Sequence, residues 1–467
     1  MKIKKLSAVL AGVMVASTLA GCGSTKENSD LKTVRIWTGN SHSKTVVSRL
    51  VEEFNKERGK ELGVNVVYEV KAGDAGQSIE LAYETGEEPE FCQGGNMTQL
   101  AETGKIVAIE DMPGGEEFLA EYDPQQLLNF KVRSMDNKTY AAPYTKSVVG
   151  LIYNKDMFKA AGLVDENGAP TPPKTYDEMR EYAKKLTNKD KQEFGAIVPL
   201  KPSWIYGIAI TNLAKSSSNT EPYDWTTGKI DYSSHIPVME MWKGIQDDGS
   251  MFPGILNMDD DAARAQFAQG KIGMRVGASY DCAVLTEQFP AVCDWGVAPL
   301  PSLKEDERYA TGAGAGSVLY INKKAVDLLG EETAMEIYKW FHGDEMMSAL
   351  YAEGMDIPAK ASIVENTKLN TDMKGWKEFA ELSTLGYNPV WKTPGVLNSG
   401  KKGAQEYFLN EFWTGKMTAQ EMVKELNEGA AVGMANWFEK NPDQKIEDYL
   451  DPDYNTKLEE DIYAKVK

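Results

Sequence analysis

Residues 33–70 limit the possible folds more than any other stretch. Residues 33–38, Thr-Val-Arg-Ile-Trp-Thr, alternate as a half-buried strand does. The polar loop Gly39-Asn40-Ser41-His42-Ser43 follows, and then Val46, Val47, Leu50, Val51 and Phe54 recur at helical spacing. Val64–Val70 reads as a second strand. Strand, loop, helix and strand make a βαβ unit, which implies a parallel sheet. Open α/β sheets bind ligands beyond the carboxyl ends of their strands, so the loop 39–43 is expected to border a crevice.

The 467 residues, 42% hydrophobic and 26% charged, leave room for two or three domains. The start of the chain differs from the rest. Lys2, Lys4 and Lys5 precede an uncharged apolar core at 6–19, and Leu19-Ala20-Gly21-Cys22 closes it. That core is too short for a membrane span and reads as a signal peptide. Leu-Ala-Gly-Cys resembles a bacterial lipobox, in which the cysteine is acylated and becomes the new N-terminus. Residues 1–21 are then a lipoprotein signal peptide and 22–32 a polar, flexible tether. The expected location is the extracytoplasmic face of the cell membrane, held by a lipid on Cys22. Removing 1–21 deletes three lysines and no acids, taking the formal charge from −19 to −22. A body this acidic argues against nucleic acid and anionic membrane surfaces as ligands and is compatible with a neutral one. Of the remaining cysteines, Cys282 and Cys293 are spaced to pair across an eleven-residue loop. The odd count, with Cys92, favours buried free thiols.

Residues 141–162 read Ala-Ala-Pro-Tyr-Thr-Lys-Ser-Val-Val-Gly-Leu-Ile-Tyr-Asn-Lys-Asp-Met-Phe-Lys-Ala-Ala-Gly. The run 148–153 fits a strand buried on both faces, Asn154 or Asp156 can cap a short helix, and Gly162 suits a left-handed terminator. Pro-Tyr, an apolar strand ending in Tyr-Asn-Lys-Asp, then Ala-Gly, resembles the lobe-crossing segment of the family 1 extracellular solute-binding proteins. These maltose-binding-protein-like receptors serve sugar-importing ABC transporters. Further matches lie along the chain in the family's order. They are Leu100 to Ile109, the Pro-Pro-Lys-Thr-Tyr-Asp-Glu of 172–178, Phe267 to Tyr280, Trp295 to Pro301, and Met355-Asp356-Ile357-Pro358. Gly273 stands where the family has Ala, and Tyr280 where Trp is common.

The resemblance implies an α/β, two-lobed periplasmic-binding-protein-like fold, each lobe a mixed sheet flanked by helices, with three hinge crossings. The first lobe is expected at 33–145 and 317–357, the second at 146–316 and 358–467. It also implies a monomeric receptor that closes over its ligand and delivers it to the permease subunits.

Catalytic chemistry finds no support. His42, His235 and His342 form no metal-ligand spacing, and Gly277-Ala278-Ser279-Tyr280-Asp281 lacks the second glycine of a nucleophile elbow. Gly312-Ala313-Gly314-Ala315-Gly316 precedes a strand and lacks the Gly-Lys-Ser/Thr of a phosphate cradle. Asp259-Asp260-Asp261 reads as a helix start with favourable dipole charge. No cofactor or metal is expected. Paired carboxylates are not recognisable by spacing, so a surface glycoside-active enzyme stays open, as does a receptor for a polyamine or phosphate ester.

Aromatic side chains on loops remain. An aromatic face covers the C–H face of a pyranose while neighbouring polar groups meet its hydroxyls. By position in the family pattern, the expected oligosaccharide site comprises Thr38, Gly39, Asn40, His42, Asn96, Tyr144, Ser147, Trp204, Tyr206, Gly277, Ser279, Tyr280, Asp281, Gly312, Tyr387 and Trp391.

Overall fold

The computed structural model describes residues 31–71, 75–122, 127, 130–132, 135–202, 204–218, 222–309, 314–369, 372–385, 393–397, 399–450 and 452. In chain order, β1 (Lys32–Thr38), β2 (Val64–Val70) and β3 (Phe91–Cys92) open the fold. Then β4 (Ala142–Pro143), β5 (Thr145–Ser147) and β6 (Val149–Asn154) follow in close succession. Next come β7 (Phe194–Ala196), the hairpin β8 (Tyr223–Asp224) and β9 (Lys229–Ile230), β10 (Ile272–Ala278) and β11 (Trp295–Ala298). Last are β12 (Gly314–Ala315), β13 (Val318–Ile321) and β14 (Ile357–Pro358).

The first lobe is built on a mixed sheet of order β2-β1-β3-β13-β4. β1 runs parallel to β2, in register from Lys32 opposite Val64 to Thr38 opposite Val70, and parallel to β3. β13 is antiparallel to both β3 and β4. Alternation along β1 sends Val34 and Ile36 into one face. There they meet Val46, Val47, Leu50, Val51 and Phe54 of the Lys44–Lys56 helix. The apolar stripe foreseen between 46 and 54 is therefore what seals this half of the sheet.

The second lobe has its own mixed sheet, β11-β6-β10-β7, and its own core. β6 and β10 are buried along their whole length, as strands covered on both faces must be. Asn154 ends β6 and caps the Lys155–Ala160 helix by accepting from the N–H groups of Asp156 and Met157. Gly162 then takes φ +70°, which favours glycine. Thr175 with Glu178, and Thr418 with Glu421, both form complete capping boxes. The Trp376–Leu385 helix packs on β11 and β6, and the Ala419–Lys440 helix on the His235–Asp247 helix, so these two helices belong to this lobe, whereas Ala359 and Ile363, just after β14, still pack in the first-lobe core.

Between the lobes lies a third, small sheet of order β12-β5-β14. β5 is its centre: Lys146 faces Ala315 on one side and Ile357 on the other, both antiparallel. The three chain crossings are thus zipped together by backbone hydrogen bonds. Within the segment 141–162, which resembles a lobe-crossing segment, the hinge strand is the short β5, and the run at 148–153 enters β6 of the second lobe.

Candidate functional site

The parallel strands β1, β2 and β3 all end on one side of the first lobe, at Thr38, Val70 and Cys92. In the second lobe β7 runs parallel to β10, so residues after Ala196 and Ala278 leave from one common end. That end faces the hinge, because Ala278 pairs with Val149, two residues past β5. Loops from both lobes converge there. The Nε2 of Gln288 donates to the carbonyl of Ser41 at 2.6 Å. The His42 and Tyr280 rings stand 5.4 Å apart between centroids, tilted by 31°. His42 Nε2 also lies 2.8 Å from Oδ2 of Asp356, beside the β14 crossing.

Of the expected ligand residues, this arrangement brings together His42 and Tyr280. Gly39 and Asn96 are exposed and Ser147 is half-buried on the hinge strand. Asn96 caps the Met97–Glu102 helix through its side-chain oxygen, which accepts from Gln99. Trp204 is 44% exposed on the segment that follows β7.

Several others are engaged inside the protein. Both donors of the Asn40 amide are used, toward Tyr144 Oη at 2.6 Å and Ser317 Oγ at 2.7 Å. Tyr144 is buried edge-on against Phe341 and His342, where burial pushes its phenol well above its usual pKa. Together they staple the first loop to two of the crossings. The Thr38 hydroxyl pairs with that of Tyr68 at 2.7 Å, fully buried. Ser279 Oγ is buried and accepts from the Val148 N–H. Tyr206 sits in the second-lobe core with its hydroxyl 2.8 Å from Nδ1 of His235, a histidine that burial holds neutral with a pKa of about 4. Gly277 is buried opposite Gly150, with no room for a side chain. Gly312, Tyr387, Trp391 and Cys22 lie outside the described residues.

Asp281 has the most internal partners of these residues. Its Oδ2 accepts from the Ala278 N–H at 2.9 Å and its Oδ1 from Arg264 Nε at 2.6 Å. Arg275 approaches the same carboxylate at 3.1 Å. Asp260 completes a buried quartet, 2.8 Å from Arg264 and 2.7 Å from Arg275. Burial alone would push the Asp281 carboxyl up, but the two arginines and the Ala278 N–H outweigh it and hold its pKa at about 2. The guanidinium of Arg264 lies 5.4 Å from the centre of the Tyr280 ring.

Other participants were not singled out in the sequence. Gln288 and Asp356 touch the loop 39–43; Asp356 lies in the matched stretch 355–358, whereas nothing in the local pattern of Gln288 announces its contact. Among the described residues, Trp37 Nε1 and Gln93 Oε1 are buried without a hydrogen-bond partner at the carboxyl ends of β1 and β3. They are a donor and an acceptor left unmet, which is costly inside a protein. Lys71, at the end of β2, sits over the Trp37 ring at 3.3 Å and pairs with Glu69 at 2.6 Å. An open pocket of ≈ 560 Å³ has Glu353 and Met355 on the first-lobe side and Glu287, Asp372 and Lys374 on the other.

Among the described residues, no group of three or more His, Cys, Asp or Glu side chains is placed to hold a metal. Cys92, Cys282 and Cys293 are free thiols. Burial pushes Cys92 and Cys293 up to about 11, so neither is a reactive thiolate at neutral pH. No helix of the described residues is long and apolar enough to cross a membrane.

The family model described as bacterial extracellular solute-binding protein matches residues 39–347. A maltodextrin-binding protein of Bacillus subtilis is 23% identical over 377 residues, covering 77% of this chain and 82% of its own length. An sn-glycerol-3-phosphate-binding periplasmic protein of Rhizobium meliloti is 23% identical over 403 residues, covering 81% and 87%. Among solved structures, the maltose/maltodextrin-binding domain from Bdellovibrio bacteriovorus bound to maltotriose superposes with a TM-score of 0.64. It is 17% identical, with 85% of this chain and 98% of that one covered. A solute-binding protein of an ABC transporter from Thermotoga lettingae, bound with α-D-tagatose, gives a TM-score of 0.65 at 18% identity, covering 88% and 99%.

Proposed function

The chain belongs to the bacterial extracellular solute-binding proteins, and we propose that it is the lipid-anchored receptor of an ABC importer, capturing an oligosaccharide between its lobes and delivering it to the permease. The observation that carries this reading is the hinge. Three short strands from three crossings form one sheet, and directly above it loops of the two lobes meet through Ser41, His42, Tyr280 and Gln288. A joint of that kind permits closure of one lobe on the other with few dihedral changes. Closure couples to transport only if the ligand binds the closed form more tightly than the open one, since equal affinity would shift nothing.

The sugar class rests on the exposed Trp204, the half-buried Tyr280 and the polar, uncharged loop 39–43, and on a maltodextrin-binding relative. We place the first lobe at 33–145 and 317–357 and the second at 146–316 and 358–467, working as a monomer. Cys22 carries the lipid, with 1–21 removed as signal peptide. No catalytic step is assigned. A phosphate ester is the second reading, supported by the glycerol-phosphate-binding relative. The acidic body and the pairing of Lys71 with Glu69 count against it.

Calorimetry against a panel of neutral glycans and sn-glycerol-3-phosphate, with chromatography of each mixture, tests the proposal. Binding of a glycan without product, insensitive to ionic strength, supports it. Binding of the phosphate ester alone, weakening as salt rises, supports the second reading, and a new chromatographic product overturns both.

A further inference from the structure

We propose that Arg264 is a positioning residue for Tyr280, and that the buried quartet it belongs to exists to hold that ring at the junction of the lobes. This rests on the reading of the interlobe cleft as the ligand site.

The quartet needs an explanation other than stability. Arg264, Arg275, Asp260 and Asp281 are each 8% exposed or less. Replacing such a buried ionic cluster by well-packed apolar side chains is often neutral or stabilising, so its presence points to geometry as its use. The geometry is specific. Asp281 binds the Ala278 N–H with one oxygen and Arg264 Nε with the other, which fixes the sharp turn leaving β10. Tyr280 stands in that turn, one residue before Asp281. Arg264 is in turn locked by Asp260 and Asp261 on its own helix, Asp260–Ala268, at 2.8 Å each. From there its guanidinium sits over one side of the Tyr280 ring, and His42 of the other lobe meets the ring at a similar distance. His42 is itself held by Asp356. A single aromatic ring is therefore gripped by a cation of its own lobe and an imidazole of the opposite one. Its setting is determined by charges buried behind it, each 8% exposed or less.

The test needs no ligand, so it is separable from the glycan panel. 3-Fluorotyrosine is placed at position 280 in the full mature chain, and its fluorine resonance is recorded at neutral pH. His42→Ala should move the resonance by more than its linewidth, because the imidazole is a ring neighbour. Arg264→Lys keeps the charge but cannot span Asp281 and the ring together, and should also move it. The charge-balanced pair Arg264→Met with Asp281→Asn removes one cation and one anion. It should move and broaden the line while thermal melting confirms a folded protein. A purely structural quartet would lower the melting temperature and leave the Tyr280 line where it was. That result in Arg264→Lys, or in the folded double variant, overturns the proposal. A moved line alongside a glycan panel with no binder would instead leave the positioning role standing and remove the sugar reading.

Discussion

Gly277→Ala is the substitution for which the structure gives the sharpest expectation. A Cβ at 277 would lie 2.4 Å from Asp281 Oδ2 and 2.5 Å from Ile152 Cδ1. Ordinary non-bonded contact between carbons is about 3.5–4.0 Å, so the new methyl overlaps both neighbours by about 1 Å. One of them must yield. Ile152 is fully buried in the second-lobe core, and forcing it off its rotamer is an overpacking cost of roughly 1–3 kcal/mol. Asp281 is held by the Ala278 N–H and both arginines, and displacing it strands a buried cation, at roughly 3–5 kcal/mol. The softer route sets the floor, and the close approach of the carboxylate blocks a full escape along it. The expected loss is therefore about 3 kcal/mol, read as a lower urea midpoint at neutral pH with an unchanged slope. A variant within about 0.5 kcal/mol of wild type would refute both the close approach and the rigidity assigned to Asp281.

Trp204→Ala should leave ligand-free stability nearly unchanged, because the ring is 44% exposed, while glycan affinity falls about tenfold, or ~1.4 kcal/mol. A large drop in melting temperature with unaltered affinity would move Trp204 out of the site. Burial holds His235 and His342 near pKa 4, below the usual 6.5, so between those values the unfolded chain takes up protons that the folded one refuses. Their contribution is complete above pH 6.5 and is lost as pH falls toward 4, by roughly 3 kcal/mol each. Urea titrations from pH 7 to 4 should show that slope, reduced in His342→Gln; equal slopes in both proteins would contradict it. Cys22→Ala should abolish fatty-acid labelling and release the protein from the membrane fraction, and an unlabelled wild type would refute the anchor.

The fold was legible wherever local pattern and tertiary use coincide. Val34 and Ile36 alternate, Val46 to Phe54 repeat at helical spacing, and the capping boxes at Thr175 and Thr418 are complete within four residues. The hinge sheet was only partly legible, since β5, β12 and β14 are two or three residues long and gain their pairing from distant chain segments. The site was harder for the same reason. Asn40 looks like a loop residue open to a ligand, yet its amide is satisfied by Tyr144, 104 residues away. Asp281 looks like a cleft carboxylate, yet its partners Arg264 and Arg275 lie on a helix and a strand whose approach no local spacing reveals. Trp204 and Tyr206 carried a usable signal. Two residues apart at the start of a helix they point to nearly opposite sides, so one had to be core, and it is Tyr206.

Closure is the claim on which the receptor reading stands, and small-angle X-ray scattering measures it directly. The full mature chain is compared with and without the tightest-binding glycan at saturating concentration. Rotation about β5, β12 and β14 predicts a smaller radius of gyration in the complex, with no change in molecular mass. A bound complex whose scattering superposes on that of the free protein would contradict it.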